Sequence, residues 1–468
     1  MTLALTDSPV RSPIVDPVVD PVVDPVVDPM VDPMVDPVVD PPSRERIYVL
    51  QGGARLSGTV QIGGAKNAAL PILAATLLTA DSCTIENVPD IADVRVMLDL
   101  LRHMGAEVEH EAALSRVTVC CADIRTRTTP DALAERFRGS FLVMGPLLAR
   151  FGQASTARPG GCNIGSRPVD VHSKGFAALG AQVANVDHRF AASGRLKGAN
   201  ILLDVPSHTG TENIIMAAVL AEGLTVIDNA SIEPEVLELV DFLRSLGARI
   251  AWASTARQLV IQGVPRLHGS VYRLMPDRLE AGTYLLAGAI TRGDVTVERI
   301  VPDHLRSVMG KLVEAGATIE EHDHSVRVVV DRPLRAVDVH TYFYPGFPTD
   351  LQQPFTALLT QAIGESIVQE TVFEARMTYA YELQRMGADI RVNGSTAVVT
   401  GPSVLHGTTV TAQDLRAGAA VMLAALAADG DTRIRGAHTV ERGYNRLIEN
   451  LCALGAVGHA EWLESAPA

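Results

Sequence analysis

The chain has 468 residues, of which 47% are hydrophobic and only 4% aromatic, and its formal net charge is −14. This length permits two or three domains with a large core, and the composition is typical of an α/β protein rich in Ala, Leu and Val. The acidity and the lack of a basic run argue against nucleic-acid binding. Without an 18-residue apolar stretch or the layout of a signal peptide, the sequence predicts a cytoplasmic protein that does not engage a membrane.

The N-terminal segment differs in composition from the rest. From Pro13 to Pro41 it mostly repeats Pro-Val-Val-Asp, with Met variants, and residues 1–42 carry half of the net negative charge. A proline at every fourth position excludes helices and sheet ladders, so we expect residues 1–45 to be an extended, disordered tail. The tail could be a partner-binding arm or a low-complexity extension without catalytic importance. We favour the second interpretation.

A period of about 70 residues dominates the remainder of the chain. Six times an apolar, helix-like run closes on a Gly-Ala pair and leads into a short polar/apolar alternation. Each Gly lies where a helix C-terminus favours a left-handed residue. Before the first pair, Val94, Met97, Leu98 and Leu101 have the spacing of a buried helical stripe. The six closures are Met104-Gly105-Ala106, Leu179-Gly180-Ala181, Leu246-Gly247-Ala248, Ala315-Gly316-Ala317, Met386-Gly387-Ala388 and Leu454-Gly455-Ala456.

A second helix-then-strand signal accompanies most repeats. Each repeat therefore predicts two helices interleaved with about four short strands. One such unit cannot bury both faces of its helices, so several must pack together. The second signals lie at Met216–Ile227, Tyr284–Val297, Ala357–Gly364 and Ala417–Asp429.

Two glycine-bounded segments carry candidate chemistry in the first half of the chain. Lys66 follows Gly63-Gly64-Ala65 and precedes an apolar run, which places it near a helix N-terminus, where anions are favoured. Cys162 lies in a loop with three glycines and two prolines and is flanked by Arg158 and Arg167. Nearby cations lower the pKa of a thiol and make it reactive. A Cys is more often a small buried hydrophobe, but this loop offers no apolar partner, so we favour a reactive thiol.

Acidic and basic residues collect at corresponding points of later repeats, just before their helices. Taken singly, each Arg beside an acid would be a surface ion pair of little energetic value. Helix starts from several repeats that converge on one side would instead, with Lys66 and Arg167, form a pocket for a small, multiply charged anion. The segments are Gly346-Phe347-Pro348-Thr349-Asp350, Glu374-Ala375-Arg376, Asp414-Leu415-Arg416 and Glu441-Arg442-Gly443-Tyr444.

The cysteines indicate a reducing compartment. Their odd number and lack of framework spacing favour the cytosol. Metal ligation by the adjacent pair Cys120-Cys121 is not expected, because neighbours on a strand point to opposite faces and no CxxC or HExxH motif accompanies them. The cysteine pattern thus gives no indication of a metal site, and we predict no metal and no cofactor. The five are Cys83, Cys120, Cys121, Cys162 and Cys452.

From about Arg46 to about Gly458 the chain resembles the enolpyruvyl transferases, and among them those that act on a uridine nucleotide sugar. Several motifs match in order and spacing. They are Gly64-Ala65-Lys66-Asn67-Ala68-Ala69-Leu70-Pro71, Pro159-Gly160-Gly161-Cys162, Gly165-Ser166-Arg167-Pro168-Val169-Asp170, Phe347-Pro348-Thr349-Asp350, Asp414-Leu415-Arg416 and Arg442-Gly443-Tyr444.

The resemblance implies an α/β fold of two lobes, an inside-out α/β barrel with six βαβαββ-type repeats. Each lobe would place three repeats around parallel helices, with the sheets outside, in agreement with the sixfold period. Residues 66–274 would form the lobe with the Cys162 loop, and residues 46–65 and 275–468 the second lobe. Substrates would bind in the cleft between the lobes, which closes.

The resemblance also implies a reaction. The enolpyruvyl group of phosphoenolpyruvate would pass to the 3′-hydroxyl of UDP-N-acetylglucosamine by addition and elimination, with release of phosphate. Cys162 would be the proton donor and Asp350 the base for the hydroxyl. The phosphate would be held by Lys66, Arg167 and Arg442, and the carboxylate by Arg376 and Arg416. Further substrate contacts would come from Asn67, Arg138, Val372, Asp414, Ser207 and His208, with Arg167, Pro168, Val169, Asp170 and Val171 cradling the uracil.

Two departures from the family pattern leave alternatives open. Ser207-His208-Thr209-Gly210-Thr211 stands where Ser-Val-Gly-Ala-Thr is usual beside the nucleotide phosphates, and Ala375 replaces the usual Asn. The first segment could be a loop with the same backbone contacts, or it could change the choice of nucleotide. A relative that acts on another uridine nucleotide in specialised metabolism is therefore the second hypothesis. A catalytically silent regulator is the third, and shikimate-phosphate transfer is disfavoured because that branch lacks the Pro-Gly-Gly-Cys loop. We predict a monomer.

Overall fold

The computed structural model describes residues 44–157, 160, 169–186, 189–253 and 257–464. The predicted tail lies outside the described residues up to residue 43. The sequence predicts that the tail extends to residue 45, but the first strand already begins at Arg44. The backbone of Arg44 pairs with that of Glu464 in the last strand. Ladder pairing with the C-terminal strand therefore draws the end of the predicted tail into the folded body.

The helices follow the predicted pattern of two per repeat, with a few additional short turns. Within the described ranges, four short 3₁₀ helices lie at Thr76–Leu78, Ala112–Leu114, Arg138–Val143 and Pro302–Leu305. The α-helices are α1 Lys66–Ala75, α2 Ala92–Met104, α3 Asp131–Ala134, α4 Met144–Phe151, α5 Asp170–Ala178, α6 His208–Ala218, α7 Pro234–Ser245, α8 Arg278–Ile290, α9 Arg306–Ala315, α10 Thr349–Leu359, α11 Tyr379–Arg385, α12 Leu415–Ala427, α13 Ala437–Val440 and α14 Leu447–Ala453.

The strands are short and lie between the helices. They are β1 Arg44–Gln51, β2 Ser57–Gln61, β3 Cys83–Glu86, β4 Glu107–Glu111, β5 Arg116–Cys120, β6 Gln153–Ala157, β7 Gln182–Val186, β8 Arg189–Ser193, β9 Asn200–Leu202, β10 Leu224–Asp228, β11 Arg249–Trp252, β12 Leu259–Gln262, β13 Val271–Arg273, β14 Asp294–Glu298, β15 Thr318–His322, β16 Ser325–Val329, β17 Val339–His340, β18 Gly364–Gln369, β19 Asp389–Asn393, β20 Thr396–Gly401, β21 Thr409–Thr411, β22 Asp431–Arg435 and β23 Val457–Glu464.

The six Gly-Ala closures end helices as predicted. Their glycines follow α2, α5, α7, α9, α11 and α14, and the φ angles of all six are positive, from 92° at Gly180 to 107° at Gly455. This is the left-handed conformation that lets a helix stop, and a strand begins two residues later in each repeat. The repeat read from the sequence is therefore confirmed as a structural repeat.

The two glycines with nearly equal φ allow a matched stability test. At Gly105 (φ 106°) a Cβ would lie 2.5 Å from the carbonyl oxygen of Asp123, whereas at Gly455 (φ 107°) the nearest atom would be 3.8 Å away. We expect Gly455→Ala to lower the free energy of unfolding by about 1 kcal/mol through backbone strain alone. Gly105→Ala should lower the free energy of unfolding by more, because steric overlap of the new Cβ with Asp123 adds to the backbone strain. Urea denaturation of both variants checks this, and equal losses would contradict it.

The described strands form six sheets that share one plan. In five of the sheets, two neighbouring antiparallel strands make the hairpin that follows the Gly-Ala closure, whereas in the sixth the single strand β23 follows the closure and pairs antiparallel with β1. The orders are β13-β3-β5-β4, β6-β8-β7, β11-β12-β10-β9, β15-β16-β14-β2, β17-β18-β20-β19 and β21-β22-β1-β23. Each of the five four-stranded sheets also has one edge strand that pairs in parallel with its neighbour. These edge strands are β2, β9, β13, β17 and β21.

Buried apolar side chains form two large clusters. One comprises side chains from residues 69–274, and the other comprises those from residues 48–62 and 279–456. In the second cluster α8, α10 and α12 pack on one another, and every residue of α8 is buried. The apolar residues of α8 pack on all sides, and its one arginine, Arg278, is buried in an ion pair with Glu235. The predicted lobe boundaries at residues 66 and 274 remain a prediction.

Several expectations concern membranes, metals and thiols. In the part of the chain that the structure describes, helices that combine the length and the apolar character needed to cross a membrane are absent. No three His, Cys, Asp or Glu side chains among the described residues are grouped so that they could hold a metal ion. The cysteines within the described ranges are all unbridged, and Cys83 and Cys121 are buried.

Candidate active site

The N-termini of three central helices bring together residues from distant parts of the sequence. Lys66 is the first residue of α1, and Asp350 lies in the first turn of α10. Asp414 caps α12, where its carboxylate accepts hydrogen bonds from the backbone N–H of Arg416 at 2.7 Å and of Ala417 at 2.9 Å. The sequence predicts charged residues just before these helices; Asp414 has that position, whereas Lys66 and Asp350 lie within the first turn of α1 and α10.

Asp350 stands between two guanidinium groups. Arg376 Nη2 lies 2.8 Å from its Oδ1, and Arg416 Nε lies 3.1 Å from its Oδ2. Burial alone would raise the pKa of Asp350, but the two arginines outweigh burial and hold this pKa far below its usual value. Asp350 paired in this way is therefore an ionised carboxylate of low basicity.

Both arginines keep a donor for a further partner. Arg416 is 1% exposed and Arg376 4% exposed. Among the described residues, Arg376 Nε and Arg416 Nη1 have no hydrogen-bond partner, although both atoms are buried. A buried guanidinium N–H without an acceptor is unfavourable, and a bound anion would relieve this. The arrangement suits a carboxylate or phosphate ligand.

A second cluster centres on Asp93. Lys66 Nζ lies 2.7 Å from its Oδ2, and Arg442 Nε lies 2.9 Å from its Oδ1. Burial opposes the charge of Asp93, but Lys66 and Arg442 together lower its pKa below the usual value. Two cations predicted to bind one anion are thus held side by side by a carboxylate of the protein.

The two clusters adjoin through the segment after α13. A Cβ at Gly443 would lie 2.3 Å from Leu415 Cδ1 and 3.6 Å from Lys66 Cδ, so this glycine permits close contact between the segment, α12 and Lys66. The guanidinium of Arg416 lies 4.9 Å from the ring centre of Tyr444. The predicted residues Lys66, Asp350, Arg376, Arg416 and Arg442 therefore share one region, as the anion-pocket hypothesis requires.

The remaining predicted site residues are placed as follows. Cys162, Arg167 and Pro168 lie outside the described residues. Val169 and Asp170 begin α5. Val171 lies in α5, and Asn67 is half-buried in α1. Arg138 begins a 3₁₀ helix, and the backbone N–H of Val372 donates a hydrogen bond to Glu370. The charge of Arg138 adds to burial in lowering the pKa of His172 to about 3.

The segment from Ser207 to Thr211, predicted as a loop, is the first turn of α6. Ser207 caps this helix by accepting from the N–H of Gly210 at 3.2 Å, which a Ser at this position commonly does. Gly210 packs so closely on Val171 that a Cβ would lie 2.6 Å from its Cγ1. The altered sequence therefore forms a capped helix start rather than an open loop.

His208 is the most distinctive residue of that turn. Its Nε2 lies 3.1 Å from Oε1 of Glu212, which is 1% exposed. Burial disfavours a charge on His208, but Glu212, with Glu233 and Glu235, outweighs it and raises the pKa of His208 to about 10. The pairing with Glu212 thus favours the charged form of His208, whereas burial opposes it.

Sequence reasoning missed three residues that the structure joins to the site. Asp93 bridges Lys66 and Arg442, Thr349 accepts from Arg376 Nη1 at 2.8 Å, and Asp277 accepts from the backbone N–H of Lys66 at 3.1 Å. The only signal for Asp93 was an acid at a helix start, which is common. Its partners lie 27 and 349 positions away, which no local pattern reveals.

Comparison with known proteins places this site in context. A family model described as EPSP synthase (3-phosphoshikimate 1-carboxyvinyltransferase) matches residues 50–451. Proteins named UDP-N-acetylglucosamine 1-carboxyvinyltransferase from Desulfosudis oleivorans and Magnetococcus marinus are 47% and 48% identical to this chain over 410 residues. Both alignments cover 87% of this chain and 97% of the relative.

Two solved structures are similar over nearly the whole folded body. The enolpyruvyl transferase NikO from Streptomyces tendae matches with a TM-score of 0.82 at 28% identity, covering 90% of this chain and all of that one. An EPSP synthase from Acinetobacter baumannii matches with a TM-score of 0.69 at 18% identity, covering 89% and 100%. The second likeness concerns the fold alone. Together they confirm the predicted fold class.

Proposed function

The chain belongs to the EPSP synthase family and, within it, to the UDP-N-acetylglucosamine 1-carboxyvinyltransferases, and from this membership we propose its reaction. The protein is a transferase that moves the enolpyruvyl group of phosphoenolpyruvate to the 3′-hydroxyl of UDP-N-acetylglucosamine and releases phosphate. This is the first committed step of peptidoglycan synthesis. The identity of 46–48% to relatives of that name, over almost their full length, carries the proposal.

We assign the reacting groups by matching motif to geometry. The sugar oxygen adds to C2 of phosphoenolpyruvate while the methylene carbon gains a proton, and phosphate and a proton then leave to restore the double bond. Cys162 would supply the first proton and Asp350 would accept that of the hydroxyl. Arg376 and Arg416 would hold the carboxylate, and Lys66, Arg167 and Arg442 the phosphate. Fixed cations of this kind stabilise charge that develops in the transition state.

The pairing of Asp350 suggests how substrate would activate the base. In the ligand-free protein both arginines bind Asp350, which keeps the pKa of this carboxyl too low for efficient proton abstraction. A substrate carboxylate at the unpaired donors of the arginines would compete with Asp350 for positive charge. The pKa of Asp350 would then rise toward the range useful to a general base, and only when substrate is present.

We further propose that the two apolar clusters are the cores of two lobes, 66–274 and 46–65 with 275–468, and that substrates bind between them. Small-molecule substrates fit a site of ion pairs at helix N-termini. A cytoplasmic monomer is consistent with the cysteine content and with substrates made in the cytosol. Size-exclusion chromatography with light scattering tests the monomer.

The experiment that tests the function is phosphate release from phosphoenolpyruvate with UDP-N-acetylglucosamine, UDP or UMP as acceptor. Turnover with the sugar nucleotide alone supports the proposal. Turnover only with a simpler uridine nucleotide would overturn it in favour of a relative in specialised metabolism. His208 motivates this second candidate, because its pairing with Glu212 at the start of α6 favours a positive charge where the family resemblance places the nucleotide phosphates.

Cys162→Ser tests the proposed proton donor. We expect kcat to fall by about 10²-fold or more, the usual contribution of a positioned proton donor, and covalent modification by the epoxide phosphonate fosfomycin to disappear. Mass spectrometry of the intact protein measures the modification, and Cys452→Ser is the control because this partly exposed thiol lies in α14. Undiminished modification of the Cys162 variant would contradict the assignment.

A further inference from the structure

A buried carboxylate beside the Asp350 cluster has no role in the reaction as described. Glu370 directly follows β18 and is 2% exposed. Its Oε1 accepts hydrogen bonds from Thr341 Oγ1 at 2.9 Å and from the backbone N–H groups of Val372 and Phe373 at 2.8 and 3.2 Å. Its Oε2 accepts from Thr349 Oγ1 at 2.7 Å. Four donors therefore converge on the side chain of Glu370, three on Oε1 and one on Oε2.

Two of these donors belong to residues that touch Arg376. Thr349 Oγ1 accepts from Arg376 Nη1 at 2.8 Å, and the ring of Phe373 lies 5.4 Å from the guanidinium carbon. Together with Asp350, these residues surround the guanidinium of Arg376. The Nε–H of Arg376 is buried and has no hydrogen-bond partner among the described residues. Glu370 therefore binds Thr349 Oγ1, which contacts Arg376 directly, and the backbone N–H of Phe373, whose ring lies beside the guanidinium.

We propose that Glu370 is a positioning residue, which acts through Thr349 and Phe373 to aim the unpaired N–H of Arg376 at the carboxylate of phosphoenolpyruvate. This inference rests on the proposed function. A threonine hydroxyl can donate one hydrogen bond, and Thr349 donates it to Glu370. The lone pairs of the same oxygen are thereby turned toward Arg376, which makes Thr349 an acceptor of fixed direction. Without the acceptor at position 370, the hydroxyl can rotate and Arg376 loses one anchor.

The kinetic test compares Thr349→Val, Thr349→Ser and Glu370→Gln. We expect Thr349→Val and Glu370→Gln to raise the KM for phosphoenolpyruvate about tenfold while the KM for the nucleotide changes less than twofold. Thr349→Ser keeps the hydroxyl and should stay within about twofold of the parent. The matched control is Glu365→Gln, an exposed carboxylate on the same strand that pairs with Arg391 at 2.7 Å, which should leave both KM values unchanged.

A purely structural role would give a different pattern. In that case the variants would lower the midpoint of urea denaturation without separating the two KM values, and Thr349→Ser would rescue nothing. Either result overturns the inference. Thr349→Val replaces a single hydroxyl by a methyl group of similar volume. If Glu370→Gln does not fold, the comparison of Thr349→Val with Thr349→Ser still tests the inference.

A second readout separates this inference from the proposed function. In protein labelled with ¹⁵N-arginine, the Nε–H resonance of Arg376, assigned by its loss in Arg376→Lys, should exchange with solvent at least tenfold faster in Glu370→Gln and Thr349→Val than in the parent. Glu365→Gln should not change it. The expected change in exchange rate does not depend on catalysis. If the parent showed no enolpyruvyl transfer, that result would contradict the proposed function but not the role of Glu370. Unchanged exchange in both variants would defeat the inference alone.

Discussion

Asp350→Asn is expected to lower kcat by about 10²- to 10⁴-fold, the usual contribution of a general base, with little change in ground-state binding of the nucleotide. An amide cannot accept the hydroxyl proton, although it has nearly the same shape. The variant also leaves Arg376 and Arg416, which are 4% and 1% exposed, without their anionic partner. Steady-state kinetics and circular dichroism, measured on the same preparation, separate lost chemistry from lost folding.

Asp389→Asn is the matched control for that variant, because Asp389 is exposed at the start of β19. It should change kcat by less than twofold. A kcat of Asp350→Asn within threefold of the parent would remove Asp350 as the base.

The pH dependence of stability follows from the same ion pairs. Burial would raise the pKa of Asp350, but Arg376 and Arg416 depress it below the value of about 3.9 for an unfolded aspartate. Stability from a depressed pKa is fully present above the unfolded value and is lost as the pH falls through the folded value. The stability difference between parent and Asp350→Asn should therefore be constant near neutrality and shrink below about pH 4. Urea denaturation at several pH values measures it.

Glu235→Ala is expected to give the largest loss of stability. Glu235 and Arg278 form a two-bonded ion pair, with Nε to Oε1 at 3.0 Å and Nη2 to Oε2 at 3.2 Å, and their side chains are 1% and 8% exposed. Removing the carboxylate leaves a buried guanidinium unpaired, which costs about 3–5 kcal/mol. Chemical denaturation measures the loss, and the joint replacement Glu235→Leu with Arg278→Met should recover most of it.

The control for this pair is Glu314→Ala, which removes the exposed partner of Lys311. Surface pairs contribute about 0–1 kcal/mol, so the control should lie near the parent. If Glu235→Ala destabilised the protein no more than Glu314→Ala, the pair would not be the buried contact that the structure describes.

Local signals explain why much of the fold was predictable. The Gly-Ala closures identified where six helices end, since a left-handed residue is a requirement of the helix terminus itself. The stripe of Val94, Met97, Leu98 and Leu101 identified α2, in which all four are buried. Lys66 was placed correctly at a helix start, because glycines directly before an apolar run indicate one.

Long-range pairing explains what was missed. Thr349 and Glu370 look ordinary in the sequence, and their connection to Arg376 exists only because the segment after β18 packs beside α10. The family resemblance predicts the segment at Ser207 as a loop beside the nucleotide phosphates. A Ser cap together with packing of Gly210 on Val171 made it the start of α6 instead.

The sequence by itself determined the sixfold repeat, the helix ends and the set of charged residues at the helix starts, because each depends on contacts within a few positions of the chain. Only the tertiary structure decided which charges meet. It set Asp350 between Arg376 and Arg416, placed Asp93 between Lys66 and Arg442, and paired His208 with the buried Glu212. Ion pairing and pKa depend on distances between segments far apart in sequence and on their burial, and these are fixed only when the repeats pack together.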